Sequence, residues 1–455
     1  MDGTADLLPA PDFAVDAGKL APEDVRRLLG FNREYQNRVL AYFAEIRREF
    51  ERRHPGRRFA GAFGEVDSIS GLMRGPDEAR AWSWGDCRGL GVWSYFLRKD
   101  VVPDSLRGFY SNYVDFIHGA LVERRRLNHG ELPFLVDPAS NLASADPRNI
   151  PTSPGRHEPT VVFAAAAFLQ YALLRDDPEA AATGLDYLEK AIDCGVNHRN
   201  VDHITKQVSP NHAQGFMMVT VGAIVDTLKC AAAVPDGRGK GWIETLPDKA
   251  AALVRLILDK HHDPASGAFW ESVRPDGQPL PDASGRLLCD PGHSAEFCGF
   301  AAELCAFLPD NGLKSELLAA LPRIVAFIDA NGYSPAGALY KSVDARGAGG
   351  IPDRVGDGGR AYKTAPWWNL RELAAAALKL HQLTGDPGCL RAYRRAFQAT
   401  YRHYPNQRIG GLMFQTLDAE TLEPLPFHPA TGNLDPMHCP RAREREIEAL
   451  ELLPG

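Results

Sequence analysis

The chain has 455 residues, 44% hydrophobic and 24% charged, with a formal net charge of −7 and a pI near 6.1. This is globular composition, and the mild excess of acid argues against nucleic acid or an anionic membrane as the main partner. No run of about 18 apolar residues occurs, so no bilayer-spanning segment is expected. The first twenty residues, MDGTADLLPAPDFAVDAGKL, carry acids and lack both a basic start and an apolar core, so they do not read as a secretory signal. Eight cysteines are scattered without a CxxC pair. They are expected to be reduced, buried thiols of a cytoplasmic protein.

Taken in chain order, the periodicity is helical. Apolar residues recur at i, i+3, i+4 and i+7 in twelve segments: 24–53, 86–98, 104–127, 159–175, 178–193, 211–232, 244–260, 293–308, 312–331, 366–384, 386–403 and 438–453. The alanine-rich runs VVFAAAAFLQYALL (161–174) and LAAAALKLHQL (373–383) permit close helix approach and are too apolar to face water broadly. No linker divides the chain, so residues 1–20 are expected to be loosely held and 21–455 to form one domain. Four stretches repeat a theme of glycine, small, apolar and aromatic residues: GAFGEVD (61–67), GAFWESV (267–273), GALYKSVD (337–344) and GGLMFQTLD (410–418). Each suits a tight turn followed by a short strand. Twelve helices with such a hairpin on alternate connections predict an all-α fold, an (α/α)6 barrel with short β-hairpins at one end; an irregular helical bundle is the alternative.

Alternate helices of such a barrel line its inner ring, and their like ends share one mouth. The starts of the even segments carry Arg88 in WSWGDCRGLGVW (82–93), PGRHEPT (154–160), His212 in SPNHAQGFMM (209–218), His293 in DPGHSAEF (290–297), Trp367 and Trp368 in KTAPWWNLRE (363–372), and His438 in DPMHCPRARE (435–444). Singly, each has an ordinary reading: a histidine as a cap, Arg88 as an ion-pair partner, the tryptophans as core. Together they predict one cup. Glu296, at i+3 from His293, lies on the same helix face and reads as a charge pair, a metal half-site or a catalytic dyad. No HExxH-like spacing occurs, so no metal is expected. His261 and His262 read as a solvated helix end. GRGKGW (237–242) lacks the spacing of a phosphate-binding loop. The positive end of a helix would keep a nearby imidazole neutral, ready to act as a base, while a neighbouring glutamate pulls the other way and fixes the tautomer.

These residues resemble the N-acylglucosamine 2-epimerase family, which includes cellobiose 2-epimerases, mannose-acting aldose–ketose isomerases and sulfoquinovose isomerases. The resemblance rests on DPGHSAE, KTAPWWNLRE, MHCPR (437–441) and WSWGDCRGLGVW, with TGDPGCL (384–390) in support. It implies an (α/α)6 barrel and a sugar 2-epimerase or aldose–ketose isomerase without cofactor or metal. The chemistry implied is removal of the C2 proton from an open-chain aldose to give a cis-enediolate. His293 and His438 are then the acid/base pair. Arg88, His212, Glu296, Trp367, Trp368, Glu372 and Arg441 contact the sugar, with Glu296 also supporting His293. The implied partner is a small-molecule sugar, with a homodimer by analogy. Leu370 stands where many members carry histidine or glutamine. The loop 346–363, with Arg354, Arg360 and Lys363, reads either as a lid for an anionic sugar or as a solvated loop, and Arg156 has the same two readings. Two other classes remain open. An (α/α)6 glycoside hydrolase would draw on Asp86, Glu158, Asp290 and Glu372, and a non-catalytic carbohydrate binder is favoured by Leu370.

Overall fold

The computed structural model describes residues 8–16, 18–53, 66–67, 69–72, 81–137, 140–144, 157–199, 212–234, 237–310, 312–347, 349–409, 412–426 and 435–453. Among these are twelve α-helices: α1 (Pro22–Arg53), α2 (Ser83–Arg98), α3 (Asp104–Leu127), α4 (Thr160–Arg175), α5 (Pro178–Val196), α6 (Gln214–Ala232), α7 (Lys240–His261), α8 (Pro291–Leu304), α9 (Gly312–Asn331), α10 (Trp367–Thr384), α11 (Pro387–His403) and α12 (Ala442–Glu451). Three of the starts are written locally as Asp-Pro. Asp177, Asp290 and Asp386 each cap the following helix, accepting backbone N–H bonds, and proline takes the first helical position, where no donor is needed. The last segment departs from the periodicity. Met437–Arg441 forms a wide π-helical turn and α12 begins only at Ala442. Pro440 lies inside that turn and has no N–H to close a normal one.

The even helices form the inner ring. α2 packs on α4, α4 on α6, α6 on α8, α8 on α10 and α10 on α12, and the Met437–Arg441 turn touches α2 to close the circle. The odd helices lie outside, with α1 against α12 and α3, α5 against α7 and α9 against α11. The architecture is an (α/α)6 barrel. The inner helices α4, α6 and α8 are apolar nearly all round because neighbours cover every side, whereas α12 buries the charged run 443–446. α6 is long and apolar enough to cross a membrane by length and composition, and it is mostly buried inside the ring. Close approach is enforced at Gly292 of α8, where a Cβ would overlap the Trp368 ring and the Asn369 amide of α10. Buried ion pairs tie rings together, as between Arg124 and Asp86 at 2.9 Å. Phe13, ahead of α1, is buried against Tyr393 and Phe397 of α11.

Short antiparallel ladders crown one end. β1 (Ala81–Trp82) pairs with β2 (Leu135–Val136), β3 (His212–Ala213) with β4 (Ser272–Val273), β5 (Leu288–Cys289) with β6 (Val343–Asp344), and β9 (Thr364–Pro366) with β10 (Thr416–Asp418). In each, the strand entering an inner helix pairs with the strand leaving the next outer helix. β7 (Arg354–Val355) and β8 (Ala361–Tyr362) pair within the loop before α10.

Candidate active site at the mouth of the inner ring

Exposure locates the mouth. Thirteen of the fourteen residues of α8 are buried, and the exception is His293 in its first turn. Near the starts of the other inner helices the half-buried residues are Trp84 and Arg88 on α2, Gly215 on α6, Trp368 on α10 and Met437 on the π-helical turn. One concavity lined by the N-terminal ends of the inner helices accounts for this pattern.

His293 is built from three directions. Its Nδ1 lies 2.9 Å from Glu271 Oε1 and 3.3 Å from Asp290 Oδ2. Glu271 is fixed in turn by Gln214 Nε2, which donates to Oε2 at 2.9 Å. Lys341 ion-pairs with Asp290, its ammonium 4.8 Å from the Trp368 ring centre. Burial disfavours the imidazolium, but Asp290 and Glu271 outweigh burial and Lys341, and raise His293 from 6.5 to about 9. Of the two opposing influences, the helix dipole and a neighbouring carboxylate, the carboxylates prevail: two within hydrogen-bonding range exceed a partial charge.

His438 is built likewise. Its Nδ1 donates to Glu372 Oε1 at 2.9 Å. Glu296 Oε1 stands 3.9 Å from the same nitrogen, and Asp435 Oδ2 stands 3.9 Å from Nε2. Burial again opposes the charge, and Asp435, Glu372 and Glu296 together raise the imidazole above its ordinary value. Arg88 donates to Asp435 at 2.9 Å, with its guanidinium 4.7 Å from the Trp84 ring and 4.3 Å from Phe163. The two imidazoles share Trp368: its ring centre is 5.7 Å from that of His293 and 4.9 Å from that of His438. Both histidines turn Nδ1 to a carboxylate, which leaves Nε2 as the ring nitrogen for chemistry.

Other expected site residues are placed differently. Trp367 is fully buried, its Nε1 donating to Gln415 at 2.9 Å, so Trp368 alone of the pair reaches the cup. Arg441 points away from the mouth into a buried charge cluster, with Nε 3.0 Å from Asp226. Glu372 uses Oε1 on His438 and Oε2 on Arg445 at 3.2 Å, so it holds a histidine rather than facing the cup. Glu296 sits beside His438, while the hydrogen bond to His293 comes from Glu271. His212, on β3 beside Gln214, stacks face to face on His198 with ring centres 3.1 Å apart, and burial lowers its pKa. His261 is fully buried rather than solvated, with Nδ1 3.0 Å from the Trp270 carbonyl. Leu370 is fully buried in the core. Arg360 faces Asp418 at 3.4 Å and Lys363 faces Glu420 at 2.6 Å, so these two loop cations are held by local acids. Arg156 lies outside the described residues.

The composition of the cup also shows what the sequence reading missed. Glu271, Lys341 and Gln415 occupy the same position of the repeated glycine–aromatic motif, immediately before β4 and β10 and two residues before β6. Each reaches the start of a neighbouring inner helix: Glu271 to His293, Lys341 to Asp290, Gln415 to Trp367. The repeat itself was the available signal.

Two groups come close enough to hold a metal ion: Glu271, Asp290 and His293, and Glu296, Glu372 and His438. In each, a protein cation already holds a carboxylate, Lys341 on Asp290 and Arg445 on Glu372. That opposes a further positive charge.

The family model for N-acylglucosamine 2-epimerase (GlcNAc 2-epimerase) matches residues 158–431. The chain belongs to the N-acylglucosamine 2-epimerase family. It is thereby an isomerase of the sugar epimerase and isomerase class. No match is found among curated proteins. Among solved structures the chain is similar to a cellobiose 2-epimerase from Bacillus thermoamylovorans B4167, at 16% identity and TM-score 0.61 over 86% of this chain and 92% of that one. It is similar to a D-mannose isomerase, at 16% identity and TM-score 0.62 over 91% and 96%. A cellobiose 2-epimerase from Spirochaeta thermophila gives 16% identity and TM-score 0.61 over 90% and 97%. At this identity the likeness to these structures concerns the fold.

Proposed function

We propose that this family member is a sugar 2-epimerase or aldose–ketose isomerase in which His293 and His438 move a proton at C2 of an open-chain aldose through a cis-enediolate. The supporting observation is the pair of carboxylate-bound imidazoles against one indole. An aldehyde acidifies the C2 proton only modestly, so the developing oxyanion needs fixed donors. Arg88 and His212 are the candidates, and Trp368 offers an apolar face to sugar C–H groups. One imidazole must be neutral to take the proton while the other, cationic, returns one. Return to C2 from the opposite face epimerises, and return to C1 isomerises. The carboxylates favour the protonated forms, so the working one-proton state should gain population as pH rises above neutral.

The glycoside hydrolase reading rests on Glu158, a carboxyl ahead of α4 that burial pushes up to about 8. Its Oε2 is buried, and the remaining mouth acids Glu271, Asp290, Glu372 and Asp435 are committed to His293, Lys341, His438 and Arg88. The eight cysteines are free and buried, which supports a reducing compartment such as the cytoplasm. Continuous packing from α1 round to α12 supports treating 21–455 as one catalytic unit.

A panel of free hexoses, N-acetylhexosamines, sugar acids and disaccharides incubated in deuterated water and followed by NMR tests the reading. Label at C2 or C1 of at least one sugar, abolished in His293→Ala or His438→Ala, is the expected result. Absence of label across the panel refutes it, and release of reducing ends from oligosaccharides would establish the hydrolase instead.

A further inference from the structure

Beneath the cup the inner helices carry buried charges that an apolar barrel does not require. Arg445 of α12 is the member nearest the site. Its Nη1 donates to Glu372 Oε2 at 3.2 Å, and Glu372 Oε1 accepts from His438 Nδ1 at 2.9 Å. All three side chains are buried. Arg445 is itself held from below, with Nε 3.2 Å from Glu303 Oε2 and Nη2 3.6 Å from Asp226, and its guanidinium 4.5 Å from the Phe300 ring centre. Glu303 and Asp226 are further bound by Lys229 and Arg441. A carboxylate with one partner, in a site this dry, would share the proton of an adjacent imidazolium. A second, permanently cationic partner on Glu372 Oε2 opposes that sharing.

We propose that Arg445 is a positioning residue for His438: by holding the Glu372 carboxyl in place from its far oxygen, it fixes the imidazole with its proton on Nδ1 and leaves Nε2 free for the substrate carbon. The assignment deepens the acid/base reading of His438 and, as far as catalysis goes, rests on it. The charged groups facing His438 come from every side. Asp435 lies on its own turn, Glu372 on α10 and Glu296 on α8; Arg88 on α2 acts through Asp435, and Arg445 on α12 acts through Glu372. α1 also touches the turn, but directs Asn32 and Gln36 to Arg443 and Glu444 of α12. Of these groups, Arg445 contacts the carboxylate that bonds the ring and lies on the side away from the cup.

The sign follows from charge. Removing a cation raises the proton affinity of the Glu372–His438 pair, so His438 should hold its proton to higher pH. Nitrogen-15 NMR of the full chain labelled at histidine reads this directly, with His438 assigned by its loss in His438→Asn. In the wild type the neutral ring is expected as the Nδ1–H tautomer, and an Nε2–H tautomer overturns the proposal without any variant. In Arg445→Met the titration of His438 should move up by about one pH unit, with Arg445→Lys restoring most of the difference. If both variants keep the wild-type circular dichroism and His438 titrates unchanged in Arg445→Met, the proposal fails. On a sugar that the enzyme converts, Arg445→Met should lower kcat with KM little changed, and an equal rise in KM at constant kcat contradicts it. Because tautomer and titration are read without turnover, a chain that labels no sugar refutes the functional reading while leaving these measurements to decide the role of Arg445.

Discussion

Glu271→Gln isolates the electrostatics of one histidine. The substitution keeps the shape of the side chain and a neighbour for Gln214, and removes the charge 2.9 Å from His293 Nδ1. His293 stands at about 9 against an ordinary 6.5, raised by Asp290 and Glu271 against burial. Asp290 remains at 3.3 Å in the variant. Loss of one of two close carboxylates should lower His293 by about one pH unit, equivalent to about 1.4 kcal/mol. The alkaline limb of kcat against pH, where the cationic imidazole is lost, should descend from about 9 by that amount. Stability carries the same signature. His293 is raised on folding, so its contribution is complete below 6.5 and is lost as pH climbs through about 9. Glu271 is lowered from 4.5 to about 2, so its contribution is complete above 4.5 and is lost as pH falls through about 2. The Tm advantage of the wild type over Glu271→Gln should therefore be largest between pH 4.5 and 6.5 and smallest above 9. An alkaline limb that does not move, together with a Tm difference independent of pH, would refute the assignment of Glu271 as the partner of His293.

Lys341→Met should act in the opposite sense, because Lys341 opposes protonation of His293; the alkaline limb should rise, and a fall would contradict the Lys341–Asp290–His293 chain. Trp367→Phe should cost stability, about 1–3 kcal/mol in urea unfolding for the lost volume and the unmet Gln415 acceptor, with KM unchanged. Trp368→Ala should instead raise KM for a turned-over sugar by roughly tenfold, about 1.4 kcal/mol of lost contact; equal KM effects from the two would show that the cup is misassigned. Gly292→Ala should destabilise by about 1–3 kcal/mol, since a methyl there meets the Trp368 ring and the Asn369 amide. A fully stable Gly292→Ala chain would mean that α8 and α10 are less tightly apposed than described.

The helices were legible because their information is local. An apolar stripe, an Asp-Pro start and a glycine after Thr384 each act within one or two turns, and the twelve segments fall within a few residues of the observed helices. Where the reading slipped, a longer-range term had prevailed. The segment from 438 was expected as regular helix, yet Pro440 widens its first turn, and that turn is what brings His438 beneath Trp368. Trp367 and Trp368 are indistinguishable in the sequence; the ladder of β9 on β10 decides between them by setting Gln415 beside Trp367.

The partners of the histidines were hidden for a related reason. Glu296 was matched to His293 by helical spacing, but spacing along one helix says nothing of what the neighbouring helices present. Across the ring, Glu271 arrives from the residue before β4 and takes His293, while Glu296 is left facing His438. The same position of the motif supplies Lys341 and Gln415 to the starts of α8 and α10. The strands are two or three residues long, too short to stabilise the fold by their own hydrogen bonding. Their effect is positional: the ladders of β4, β6 and β10 set Glu271, Lys341 and Gln415 against the starts of α8 and α10. The glycine–aromatic repeat is therefore tied to the site as much as to the turn, and variation at Glu271, Lys341 and Gln415 should alter the ionisation and orientation of the cup while leaving the barrel standing.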